Sequence, residues 1–167
     1  MTAAAAQFTT TVPFTAVPFT LTPIAVLLSG AVLGSRLGAL SQVVYVLAGA
    51  LGLAVFSPSL TLPPGAARLL GPTGGYLMAY PLAAFVTGWL AEHGWDRRYL
   101  TSFAAMLVGL GLIYLGGVSW LAAAFLPSPA AAVAAGIAPF IVLDVLKVAA
   151  AAMILPQTWR LLGKRLR

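Results

Sequence analysis

Long stretches without a single charge constrain this chain more than anything else in it. No Asp, Glu, Lys or Arg occurs in residues 2–35, 37–67, 69–91 or 99–143. Only 7% of the 167 residues are charged, while 61% are hydrophobic. A soluble domain carries about a quarter charged residues, because its surface must stay wet. A fold of this size with so few charges cannot cover its outside with polar groups, so membrane lipid is the expected surrounding. The composition therefore predicts an all-α integral membrane protein, with residues 1–167 forming a single transmembrane domain.

Several classes of function fall away at once. There is no cysteine, which excludes disulfides and thiolate metal sites. His93 is the sole histidine, so a multi-histidine metal site is excluded too; it sits in the polar stretch 92–98, which reads as a solvated loop. A Ser-His-Asp triad is not expected there. The net charge of +6 lies on no basic stripe of a polar scaffold, and nucleic acid is not an expected partner. No Walker lysine follows the Gly-rich stretch at 71–75, so no nucleotide site and no ATPase activity are expected. No cofactor is implied.

Four hydrophobic runs reach the roughly 20 residues that a transmembrane helix needs: 37–56, 74–91, 100–125 and 130–155. A fifth, 19–34, is shorter, and residues before Pro13 make at most half a span. Gly30, Gly34 and Gly38 recur every four residues, a small-xxx-small pattern that lets helices approach closely. Basic residues collect on the cytoplasmic side of membrane proteins. Arg36, Arg97, Arg98, Arg160, Lys164, Arg165 and Arg167 fall on one side of an alternating topology, against Arg68 alone on the other. The predicted placement is a multi-pass protein of the cell membrane, with its C-terminus cytoplasmic.

Asp144 and Lys147 are the chemical exceptions. They interrupt the apolar stretch 141–148, and each costs about 2.5–3.5 kcal/mol at a helix centre on insertion scales. At i and i+3 they share a helix face that should turn into the bundle. Two readings stand: an ion pair that merely holds helices together, or a polar ligand site. Arg68 is either a solvated loop arginine or a planar fork for a carboxylate. Beyond it, Gly71-Pro72-Thr73-Gly74-Gly75-Tyr76 leads into a helix whose N-terminal N–H groups favour anions. The segment 12–23, with three prolines and several threonines, is either a loop dipping into the outer mouth or a plain surface connection. Tyr45, Tyr76, Tyr80, Trp89, Trp95 and Trp120 are candidate interfacial anchors. Tyr76 also suits a site, and Tyr45, lying mid-span, needs a hydroxyl partner.

An ordered set of motifs then resembles a known family. It comprises Val17-Pro18-Phe19-Thr20-Leu21, the Leu27-Leu28-Ser29-Gly30 to Gly34 run, and Arg36-Leu37-Gly38-Ala39-Leu40-Ser41. It continues with Tyr45 through Gly49-Ala50-Leu51-Gly52-Leu53, then 70–77, and Pro139-Phe140 with Asp144 and Lys147. Over about residues 12–155 the chain resembles the BioY family, the biotin-binding S components of energy-coupling factor (ECF) transporters.

The resemblance implies a six-helix bundle that binds biotin from the outer side and has no catalytic turnover. It also implies association with a transmembrane coupling subunit and two ATPase subunits. Asp144 and Lys147 match the family's polar pair on the last helix; Arg68, Thr73, Gly75 and Tyr76 match its outer loop region. The first helix departs from the pattern, being shortened or missing. In the expected arrangement Asp144 accepts a ureido N–H and Lys147 supports the carbonyl end or fixes the Asp144 charge. Arg68 meets the tail carboxylate, while Phe19, Thr20, Tyr45 and Tyr76 surround the remainder. The alternatives are an S component for another vitamin, an intramembrane enzyme using Asp144 and Lys147, or a purely structural bundle.

Overall fold

The computed structural model describes residues 1–10, 17–59 and 62–165, with side chains described as far as residue 157. Among the described residues, eight helices carry the fold: α1 (Thr2–Gln7), α2 (Thr22–Leu33), α3 (Ser35–Ala50), α4 (Ala67–Leu70), α5 (Gly74–Glu92), α6 (Tyr99–Ala124), α7 (Pro129–Gly136) and α8 (Ile141–Arg165). One short 3-10 turn, Trp95–Arg97, joins α5 to α6. The departure from an all-helical pattern is an antiparallel pair of two-residue strands, β1 (Thr9–Thr10) and β2 (Phe19–Thr20), in register Thr9↔Thr20. That pairing explains why α2 starts at Thr22 rather than at Phe19. Pro23 then sits in the first helical turn, where its missing N–H costs nothing.

Helix α5 is the axis of the bundle and packs against α2, α3 and α6. The recurring glycines are where these contacts are made. A Cβ on Gly30 would run into the Ala84 carbonyl of α5. One on Gly38 would lie 2.7 Å from Gly30 Cα, and one on Gly88 2.6 Å from the Gly34 carbonyl carbon. Gly34 itself has φ +84°, the left-handed conformation that turns the chain sharply from α2 into α3. Glu92, at the far end of α5, accepts from the Ser35 backbone N–H at 2.7 Å and from its hydroxyl, so it caps α3 from a neighbouring helix. Leu27, Met106, Ile113 and Val148 fill the centre and are almost wholly buried.

The expected spans need one correction. Residues 130–155 do not form one helix: α7 and α8 meet at 52° across a break at residues 137–140. Pro139 lies in that break, lacks an N–H and pushes Ala138 away from helical geometry, and Gly136 ends α7 just before it. The other expected spans fall on α2, α3, α5 and α6. Among the described residues, only α6 is long and apolar enough alone, or two spans if the bent α7–α8 pair is counted as one. At 1.5 Å per residue, the 16-residue α3 is about 24 Å long, against a hydrocarbon core of about 30 Å. Exposed Val32, Leu37, Leu40, Val44, Leu47 and Leu146 nonetheless give the outside of the bundle an apolar surface. The half-span expected before Pro13 is the six-residue α1, which is pinned by Gln7 donating to the Ala54 and Phe56 carbonyls. Residues 12–16 of the Pro-Thr segment lie outside the described residues, as do the side chains of Arg160, Lys164 and Arg165 and all of Arg167.

The glycine contacts make a direct prediction. Gly30→Val forces backbone apart and should destabilise the bundle by about 1–3 kcal/mol, whereas Gly111→Ala, with open space around it, should not. Thermal unfolding in detergent measures both. Equal midpoints for the two variants would remove the packing role of Gly30.

Candidate functional site

At the end of the bundle where α5 begins lies a chamber that is partly open to solvent. Its wall draws on almost every part of the chain: Val17 to Thr20, Tyr45 of α3, Arg68 of α4, Thr73, Tyr76, Leu77 and Tyr80 around the start of α5, Tyr114 of α6, Phe140 in the α7–α8 break and Asp144 beyond it. The Glu92–Ser35 contact lies at the other end of α5, with Arg36 beside it, so the chamber and these charges occupy opposite ends of the bundle.

The α7–α8 break decides the character of Asp144. It starts a new helix at Ile141 and so places Asp144 in the first turn of α8. A carboxylate there is stabilised by the helix dipole, typically by about 0.3–1 kcal/mol. Three further groups converge on it and on its partner. Lys147 Nζ donates to Asp144 Oδ1 at 2.8 Å, and the Tyr114 hydroxyl donates to Oδ2 at 2.7 Å. The same ammonium donates to the Thr20 carbonyl at 3.1 Å and lies 3.3 Å from the centroid of the Phe19 ring. One buried carboxylate therefore ties together α6, α8 and the β2 segment. With its charge answered on both oxygens, the pair is tolerable in an apolar interior.

The other polar groups are spread around the wall. The Arg68 guanidinium donates to the Ser57 carbonyl. Burial pulls its pKa down and the nearby Tyr45 opposes this, yet a guanidinium stays charged at neutral pH. Tyr76 reaches from α5 to the break and donates to the Gly136 carbonyl at 2.9 Å. Tyr45 packs edge-on against Phe56 at 5.5 Å and lies 6.3 Å from the Tyr80 ring, while Phe19 stacks with Phe140 at 6.4 Å. Among the described residues, neither the Tyr45 nor the Tyr80 hydroxyl has a hydrogen-bond partner in the protein, and both residues face the chamber.

Seven residues singled out in the sequence line this one chamber: Phe19, Thr20, Tyr45, Arg68, Thr73, Tyr76 and Asp144. Two do not. Lys147 stands behind the wall, engaged by Asp144, Thr20 and Phe19. Gly75 faces away from the chamber: a side chain there would collide with Trp120 and the Gly116 carbonyl, so its role in the structure is close packing of α5 on α6. Trp120, a candidate interfacial anchor, donates its indole N–H to the Gly71 carbonyl at 3.0 Å. Tyr80, another such candidate, is buried in the chamber wall. Tyr114 escaped notice altogether. Its signal was a lone hydroxyl in the middle of the apolar run 100–125, which has no partner within reach along the chain.

The bundle, with this chamber at the end opposite Arg36, has a solved counterpart. The crystal structure of the S-component for biotin from an ECF-type ABC transporter superposes with a TM-score of 0.84. The match covers 95% of this chain and 85% of that one, at 21% identity. The chain belongs to the BioY family, whose family model matches residues 1–164. It is 46% identical over 129 residues to the probable biotin transporter BioY of Pyrococcus horikoshii, covering 77% of this chain and 72% of that one. It is also 40% identical over 129 residues to the biotin transporter BioY of Thermotoga maritima, covering 77% and 73%. Members of this family are membrane proteins, and so is this chain.

The ion pair can be tested without any ligand. Asp144→Ala or Lys147→Met alone leaves a buried charge without its partner and should cost about 3–5 kcal/mol. The double variant Asp144→Leu/Lys147→Met should recover most of that loss. Unfolding midpoints of the three variants in detergent give the coupling, and strictly additive losses would show that the pair does not act as a unit.

Proposed function

We propose that this chain is the biotin-binding component of a vitamin uptake system, holding biotin in the chamber at the outer face of the membrane. It binds and delivers its ligand without chemical turnover. One observation carries the reading: a single chamber presents a buried carboxylate, Asp144, and an arginine, Arg68, with aromatic rings between. Biotin has the complementary parts, namely a neutral ureido head with N–H donors, an apolar bicycle and chain, and a terminal carboxylate. Asp144 accepts from the head, and Arg68 takes the carboxylate through a charge-assisted bond. Tyr45, Tyr76 and Phe19 cover the apolar middle. Of the two roles open to Lys147, fixing the Asp144 charge is the one its contacts support. The names of the matched relatives point to the same ligand.

The membrane arrangement follows the same reading. Six membrane segments result when α1 counts as the first, the α7–α8 pair as one broken span, and α4 as a helix of the outer loop. The chamber then opens outward, and Arg36, Arg97, Arg98 and the C-terminal cations face the cytoplasm. A transmembrane coupling subunit and two ATPase subunits supply the driving energy, since this chain carries no nucleotide-binding motif.

Calorimetry on the purified protein should give saturable, one-site biotin binding that other vitamins fail to displace; displacement by another vitamin would reassign the ligand. Arg68→Ala should weaken biotin by about tenfold or more while leaving the uncharged biotin amide unaffected. Equal losses for both ligands would detach Arg68 from the carboxylate. The chain has no cysteine, so topology is open to single-cysteine labelling. Pro64→Cys should react with an impermeant maleimide on intact cells, and His93→Cys only after permeabilisation. The reverse pattern would invert the topology.

A further inference from the structure

We propose that Tyr114 reads the ligand's head group directly: on binding, its hydroxyl leaves Asp144 and donates to the ureido carbonyl, while the adjacent ureido N–H takes its place on Asp144. This rests on the biotin reading and assigns the specificity of that same site.

The geometry is specific. Tyr114 and Asp144 both line the chamber, and the Tyr114 oxygen lies 2.7 Å from Asp144 Oδ2. A phenol has one proton to give, and in the ligand-free state that proton is spent on the carboxylate. An ionised carboxylate can only accept, so it offers no donor to a carbonyl. Lys147 does not supply one either, because its ammonium lies off the chamber and is held by Asp144, the Thr20 carbonyl and the Phe19 ring. Asp144 and Tyr114 together therefore present one acceptor and one donor side by side. A cyclic urea presents the inverse along one edge, with N–H and C=O about 2.3 Å apart by standard amide dimensions. The two edges match.

The exchange leaves neither protein group unpaired: the O–H to carboxylate bond is replaced by an N–H to carboxylate bond and an O–H to carbonyl bond. No proton changes its covalent owner. Lys147 keeps Oδ1 throughout, so Asp144 stays ionised and in place while Oδ2 changes partner. A ligand with the N–H but a poor acceptor at the carbonyl position would strip Tyr114 from Asp144 and leave its hydroxyl unsatisfied, which is the costly case for a buried polar group. Tyr45 and Tyr80 are the rival donors, since their hydroxyls face the same chamber. Only Tyr114 is already fixed beside the oxygen that receives the N–H.

The test compares biotin with 2′-thiobiotin, in which sulfur replaces the ureido oxygen and accepts hydrogen bonds poorly. Calorimetry on the full chain should show the wild type preferring biotin. In Tyr114→Phe, biotin should weaken about tenfold with 2′-thiobiotin nearly unchanged, so the preference falls about tenfold. A Tyr114 that merely positions Asp144 would weaken both ligands alike and leave the ratio intact; that result overturns the proposal and hands the carbonyl to Tyr45 or Tyr80. Tyr114→Met provides the same comparison if the Phe variant does not purify. A wild type that binds both ligands equally also overturns it, with the biotin reading untouched. Absence of any biotin binding by the wild type defeats both together.

Discussion

The buried charge of Asp144 is the constraint around which the rest of this structure is arranged. An isolated carboxylate in an apolar bundle is prohibitively costly unless its oxygens are answered. Each answer recruits another part of the chain: Lys147 from the same helix, Tyr114 from α6, and, through Lys147, the Thr20 carbonyl and Phe19 ring of the β2 segment. The α7–α8 break contributes as well, because it turns a mid-span position into the first turn of a helix. Remove the charge and the wall of the chamber loses its common anchor.

The two ends of the bundle are built on different principles. Away from the chamber, glycines at 30, 34, 38 and 88 bring backbones into direct contact, and Glu92 closes the α2–α3 turn. Such packing leaves little room for adjustment. At the chamber end the helices are held apart by tyrosines and phenylalanines, with hydroxyls and an arginine turned inward. A rigid half and an open half on the same helices suit a component that must hold a small molecule without being remodelled throughout.

Break and chamber are also linked to one another. Pro139 prevents a continuous last helix, and the Gly136 carbonyl at the end of α7 is taken by the Tyr76 hydroxyl. The same tyrosine occupies the space that glycines at 117 and 136 leave free. What looks in the sequence like a helix-breaking nuisance inside an apolar run is thus the feature that shapes one side of the site.

Much of this was legible in the sequence, and for physical reasons that are local. The scarcity of charge called for a membrane protein, and the four-residue spacing of Gly30, Gly34 and Gly38 called for close packing. Helical periodicity alone put Asp144 and Lys147 on one face. Pro139 was in plain view too, yet the apolar run around it outweighed it, and the last span was read as unbroken. What the sequence could not disclose were contacts between distant positions. Tyr114 meets Asp144 across 30 residues, and Lys147 meets Thr20 across 127. Nothing along the chain says which group answers the Tyr114 hydroxyl, or marks Gly75 as a packing residue rather than a chamber residue. Sequence determined the membrane class, the family motifs and the presence of two costly charges on one helix face. Tertiary structure decided which groups answer those charges and which side chains face the chamber, because burial and hydrogen bonding are settled only when the helices meet.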